Sequence, residues 1–292
     1  MRNKSFTLIE ILVVIVIIGI LSAFIIVSMS GVSDKARIAK GQAFSNSIKN
    51  SLMLNLVSEW RLDDASGTTA QDHWGTNPGT WFGAGGGSYT SPSWRTSSEC
   101  VSGGCLAFDG TDDYVDCGSG TSLDITTAIT LSAWAKTTNS STVQMIVEKS
   151  PSGTNGYNIL SSNGQFQGRI YPSSIVSTAM LSDGVWHHIV MSNQNVINGW
   201  NLYFDGAKVA QQNGVAILTN AQPLYIGMRG GGTSLPFTGL MDDVRIYNQA
   251  IPTSQIRQDY CLGLNKLLLN SSINKEEFTQ RLSGLSNSLA DN

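Results

Sequence analysis

The stretch FTLIEILVVIVIIGILSAFIIVSM, residues 6–29, constrains this chain more than any other: it is almost entirely apolar and carries a single charge, Glu10. As a helix rising about 1.5 Å per residue it matches the ~30 Å hydrocarbon core of a bilayer. Arg2 and Lys4 precede it, so the positive-inside rule keeps that end cytoplasmic while the remainder of the chain crosses. No proline interrupts residues 30–57, and Val32, Ala36, Ala39, Ala43, Ser47 and Leu54 fall broadly along one stripe. The helix is therefore expected to run to residue 57, a rod of roughly 75 Å, half in lipid and half outside. Two roles fit Glu10. It can sit at the interface, favoured by the positive end of the helix dipole and reaching back to water. Alternatively, burial in lipid costs it at least a few kcal/mol, and an amine on an incoming subunit relieves that cost.

From Glu59 the texture changes. Most of the chain's thirty glycines, with frequent Ser, Thr and Asn, punctuate short apolar runs here at a spacing near ten residues, which predicts a mainly β fold, a two-sheet sandwich over residues 58–260. In ITLSA, alternation turns Ile129, Leu131 and Ala133 to one face and Thr130 and Ser132 to the other. In GVWHHIV, one of His187 and His188 is expected in the core and the other in solvent. A hydrophobic content of 41% suffices for a core. Charge is sparse, with a formal net of −3 and scattered Lys and Arg, so no nucleic-acid partner is expected. IPTSQIRQDY reads as a short helix after Pro252, and residues 261–292 as helical pieces with Asn274 as an N-cap and Glu277 three positions on. Docking of this tail on the sandwich, docking on the rod, and mobility all remain open.

Four cysteines show no CxxC pair, and the three histidines form no ligand pattern, which argues against a zinc site. In an exported chain, CVSGGC lets Cys100 and Cys105 close a small loop, leaving Cys117 and Cys261 as a second pair that depends on the fold to bring them together.

The string KSFTLIE, with its basic leader and immediate apolar helix, resembles the N-terminal signal of bacterial type IV prepilins. The resemblance implies a leader of residues 1–5, cut by a prepilin peptidase between Ser5 and Phe6, with methylation of the new Phe6 amine. Ser5 stands where that family usually has Gly. Glu10 would pair with the Phe6 amine of a neighbouring pilin subunit, and the helix 6–57 would leave the membrane lipid to polymerise in a surface filament.

The ordered phrases GGCLAFDGTDDYVDCG, LSAWAKT, GVWHHIVMS, LYFDGAKV, LYIGMRGGG and FTGLMDDVRIYNQAI resemble the laminin-G-like, concanavalin A-like jelly roll. That resemblance implies a jelly-roll sandwich carried on the pilin helix, glycan or surface-protein ligands at rim loops, and a structural Ca2+. Asp63, Asp109 and Asp242, from first, early and last strands, are the candidate calcium ligands, with turn capping as the alternative. Trp81, Phe82, Tyr89 and Trp94 in the Gly-rich GTWFGAGGGSYTSPSW are candidate sugar contacts, or a loop's own small core. The superfamily also contains glucanases, but retaining hydrolysis needs two carboxylates about 5 Å apart. After Glu59 the sandwich offers Glu99 and Glu148 without an ExDxE string, so no catalysis is expected. The expected function is a pilin-like filament subunit for adhesion or recognition. The alternatives are a pseudopilin or minor pilin without a ligand and, third, a surface glycosidase dependent on Glu148.

Overall fold

The computed structural model describes residues 54–83, 93–150, 154–230 and 234–290. Ser5, Phe6, Glu10, the expected membrane span and most of the expected rod lie outside the described residues. Among the described residues no helix is long and apolar enough to cross a membrane. Residues 55–292 form one compact unit.

Period-2 alternation builds sixteen strands among the described residues. In chain order these begin with β1 (Leu56–Trp60), β2 (Thr69–Ala70), β3 (Gly79–Phe82), β4 (Ser93–Arg95), β5 (Cys105–Asp109), β6 (Tyr114–Asp116), β7 (Ala128–Lys136) and β8 (Val143–Lys149). They continue with β9 (Tyr157–Ser162), β10 (Gln165–Ile170), β11 (Ser173–Met180), β12 (His187–Gln194), β13 (Trp200–Phe204), β14 (Ala207–Gln212), β15 (Tyr225–Ile226) and β16 (Thr238–Tyr247). Two helices follow, α1 (Thr253–Leu269) and α2 (Lys275–Ala290).

The first sheet runs β14-β13-β12-β7-β16-β5-β4, with β1 lying against the far half of β16; the second runs β11-β10-β9-β8-β15-β6-β3-β2. Ile129, Leu131, Ala133 and Ala135 of β7 face the interior between the sheets, as the alternation in ITLSA requires, and pack with Ile189, Met191, Val147 and Ile159. The β-sandwich expectation holds.

The outer face of the first sheet is covered instead of solvated, and that decides several side chains. Trp134 of β7 and Trp186 pack there with Tyr260, Leu264 and Leu267 of α1 and Leu285 of α2 in a second apolar cluster. Trp134 and Tyr260 stack with ring centroids 5.8 Å apart. This approach requires Gly263: a Cβ there would run into the Trp134 ring. Tyr203 and Thr253 hydroxyls meet at 3.0 Å where α1 begins. Asn274 accepts from the Glu277 amide at 2.9 Å, the predicted cap of α2. The tail therefore docks on the sandwich, and α1 runs unbroken across residues 260 and 261.

Cys100 and Cys105 are disulfide-bonded. The turn between the helices holds their loop, with Asn270 Nδ2 donating to Val101 O and Ser272 Oγ to Ser98 O. The expected Cys117–Cys261 bond does not form: both are free thiols. Cys117 belongs to the core between the sheets and Cys261 to the cluster outside the first sheet, so a sheet separates them.

Candidate functional site

Among the described residues no helix covers the outer face of the second sheet, and its register assembles one row of polar side chains there. Thr80 pairs with Asp116, Asp116 with Tyr225, and Tyr225 with Glu148. Glu148 then pairs with Asn158, and Asn158 with Arg169. Each has a core neighbour one position away (Trp81, Val115, Ile226, Val147, Ile159, Ile170), so the pleat sends all six outward. At about 4.8 Å per strand the row is roughly 24 Å long. Beside its Thr80–Tyr225 half lies an aromatic group. Phe82 stacks on Tyr114 at 5.1 Å, and Tyr114 meets Tyr225 edge-on at 5.9 Å. Phe82 is 44% exposed, and such rings offer flat apolar faces.

Glu148 is the anomaly of the row. It is fully buried, and among the described residues neither carboxylate oxygen has a hydrogen-bond donor. Arg229, just beyond β15, places Nε 3.4 Å from Oε1. Burial pushes the Glu148 pKa up to about 7 against the downward pull of Arg229, Asn158 and Arg169. Arg229 Nη2 also donates to the Tyr171 hydroxyl at 3.4 Å, which accepts from Asn158 Nδ2 at 3.2 Å. A buried acid, two guanidinium groups, an amide and a phenol thus converge next to an aromatic strip.

The residues singled out from sequence divide differently. Trp81 is a core residue of β3, because GTWF is a strand and not a loop; its neighbour Phe82 faces out. Trp94 sits on β4 in the other sheet and donates Nε1 to Gly67 O at 2.9 Å. Tyr89 lies outside the described residues. Trp81, Phe82 and Trp94 do not make one platform. Tyr114 and Tyr225 escaped notice because their partnership depends on pairing between strands about 110 positions apart; the one local hint was their placement next to core-type Val115 and Ile226.

Asp63, Asp109 and Asp242 also part company. Asp63 pairs with His73 at 3.5 Å. Asp242 is buried and accepts from the Val101 and Ser102 amides at 2.9 Å each, anchoring the disulfide loop; burial and neighbouring Asp243 push its pKa well up. Asp109 instead joins Asp112 and Asp113, whose carboxylate oxygens lie within 4.8 Å of one another, the one such acidic group among the described residues. Asp113 accepts from the Asp109 amide and Asp109 from the Thr111 amide, which leaves the other oxygen of each carboxylate able to face a hard cation. Burial and the adjacent Asp109 and Asp112 raise Asp113 to about 6, a cost that a divalent cation would reverse.

Neither histidine faces solvent. His188 lies under α1, tilted against Trp134 at 5.2 Å, and burial with nearby Arg245 lowers its pKa to about 4. His187 sits between Asp183 and Asp205 at 3.0 and 2.9 Å; these two carboxylates outweigh its burial and raise its pKa. A cavity of about 580 Å³ opens there against α2, lined by Asp183, Asp205, Glu277 and Arg281 among others. It is the seam along which α2 docks, with Arg281 Nη1 donating to Trp186 O.

The profile described as "Concanavalin A-like lectin/glucanases superfamily" matches residues 109–257, and that of the prokaryotic N-terminal methylation motif matches residues 1–26. No curated protein matches the chain. Among solved structures, the binding domain of Paraclostridial Mosquitocidal Protein 1 is 16% identical at TM-score 0.56, over 73% of this chain and 53% of that one. Domain 4 of AbnA, a GH43 extracellular arabinanase from Geobacillus stearothermophilus solved with arabinotriose, is 19% identical at TM-score 0.54, over 70% of this chain and 97% of that one. A Trypanosoma rangeli sialidase mutant displaying trans-sialidase activity is 16% identical at TM-score 0.54, over 74% of this chain and 34% of that one. The chain thus spans about half of the first of these proteins and a third of the sialidase. At these identities the likeness is one of fold.

Proposed function

The chain belongs to the concanavalin A-like lectin/glucanases superfamily and carries a prokaryotic N-terminal methylation motif, and from these two facts we propose a pilin-like subunit that displays a glycan-binding sandwich at the cell surface. The observation that carries the reading is the in-register row from Thr80 to Arg169, bordered by Phe82 and Tyr114 on a face that no helix among the described residues covers. Sugars present an apolar ring face and a hydroxyl-bearing edge; an aromatic strip beside amide, guanidinium and carboxyl groups suits both. The arabinotriose bound to the AbnA domain adds weight. On this reading the ligand binds the sheet face, whereas the sequence pointed to the Gly-rich loop.

Residues 1–26 supply assembly: cleavage by a prepilin peptidase between Ser5 and Phe6, then pairing of Glu10 with the Phe6 amine of the next subunit. The protein is a single-pass membrane protein before assembly and a filament component afterwards, and its role is adhesion. Asp109, Asp112 and Asp113 are the residues that would hold Ca2+, at a strand end near the aromatic strip.

The function includes no catalytic step. The nearest carboxylate to Glu148 in the row is Asp116, two strands away, about 10 Å and beyond the ~5 Å of a retaining pair. The wider spacing of an inverting pair would need a water and a glycosidic oxygen between them, where Tyr225 stands, and Arg229 lies against Glu148. Glycan-array binding by the full chain, compared with Tyr114→Ala and Tyr225→Ala, tests the reading. Loss of binding in both variants is expected; no glycan bound by the parent protein sinks it and leaves the pseudopilin alternative.

A further inference from the structure

The charges around Glu148 do not balance, and the imbalance points to a class of ligand. Two guanidinium groups, Arg229 and Arg169, face one buried carboxylate. Arg169 enters no ion pair among the described residues, and the Arg229 side chain keeps 23% of its surface exposed. The other carboxylate of the row, Asp116, is on the far side of Tyr225. The Tyr171 hydroxyl already accepts from Arg229 and from Asn158, so its own proton is left to donate outward. This end of the face therefore offers cationic and neutral donors, with room for one further negative charge.

We propose that the ligand of this face is a carboxylate-bearing saccharide, its acid group seated on Arg229, Arg169 and the Tyr171 hydroxyl, and that Glu148 takes up one proton from solvent as it binds. The proposal rests on the glycan-binding reading above and adds its chemical class and its pH dependence. Two carboxylates against the same guanidinium repel unless one is neutral, and Glu148 is the one already disposed to neutrality by burial. The groups that face it are Arg229 and Tyr225 on one side, Asn158, Arg169 and Tyr171 on the other. The three histidines lie elsewhere, and Asp113, beside Tyr114, is the other group here that titrates near neutrality.

The sign follows directly. Below about pH 7 free Glu148 is already protonated, and affinity does not depend on its titration. Above it each complex must capture a proton, so affinity falls about tenfold per pH unit.

Isothermal titration of the full chain in detergent micelles, at pH 6, 7 and 8 and in buffers of different ionisation enthalpy, reads both quantities. The probes are trigalacturonate against galactotriose, and sialyllactose against lactose. One acidic probe is expected to bind at pH 6 and about fivefold more weakly at pH 8 than at pH 7, with uptake approaching one proton at pH 8. Glu148→Gln should bind that probe equally at all three pH values with no proton uptake. Arg169→Gln should lose the preference for acid over neutral sugar while its melting temperature holds. Equal, pH-independent binding of acidic and neutral probes overturns the proposal and leaves glycan binding standing. Binding of none of them overturns both.

Discussion

Replacing Glu148 with Gln should change how stability depends on pH, by an amount the structure sets. Glu148 has an ordinary pKa of 4.5 in the unfolded chain and one of about 7 in the folded protein, raised by burial. Between these values the native state holds a proton that the unfolded state has released. The contribution is therefore fully favourable below pH 4.5 and is lost as pH rises through 7, in total about 3 kcal/mol. Gln cannot titrate, so the stability of Glu148→Gln minus that of the parent should rise by about 3 kcal/mol from pH 4.5 to pH 8. Taking a difference cancels His187, Asp113 and every other group common to both proteins. Urea unfolding of residues 55–292, one compact unit, at half-unit pH intervals measures it. The ion pair with Arg229 forms only when Glu148 is ionised and is already contained in its folded-state pKa, so its loss in the variant adds nothing further to the slope. A flat difference would refute the reasoning, and a falling one would mean that Arg229 holds Glu148 ionised in spite of its burial.

Other outcomes follow from the packing. Thiol counting on denatured, unreduced protein should find two reactive cysteines, Cys117 and Cys261; none would mean the two are bonded after all. Converting Cys100 and Cys105 to Ala should cost about 2 kcal/mol, read by denaturant midpoint, for a loop this short. Gly263→Val should destabilise by roughly 1–3 kcal/mol and alter Trp134 fluorescence, because α1 can no longer approach the ring; an unchanged spectrum would place α1 elsewhere. Glu10→Val should leave membrane insertion intact and abolish filament incorporation, scored by electron microscopy of sheared surface fractions.

The interior of the sandwich was legible because it needs only local rules. Alternation in AITLSAWAK sorts core from outer positions on any strand, and an Asn three residues before Glu277 marks a helix start whatever lies nearby. The same rule failed at GTWF, where the following glycines suggested a loop and drew Trp81 into a ligand site; one residue of register separates the buried Trp81 from the exposed Phe82. It failed again at His187 and His188, because a strand pattern says which faces differ but not what covers the outer one.

By itself, then, the sequence determined the N-terminal methylation motif, the two-sheet sandwich, the Cys100–Cys105 loop and the cap of α2, all of which reside in contiguous residues. Only the tertiary structure decided that Cys117 and Cys261 lie on opposite sides of a sheet, that Asp109 turns toward Asp113 and not toward Asp242, and that Glu148 meets Arg229. The row from Thr80 through Asp116, Tyr225, Glu148 and Asn158 to Arg169 jumps back and forth along the chain. Its order comes from backbone hydrogen bonding between distant strands, and the raised pKa at its centre comes from burial in the assembled sheet, against the pull of Arg229 from 81 residues away, neither of which any local pattern encodes.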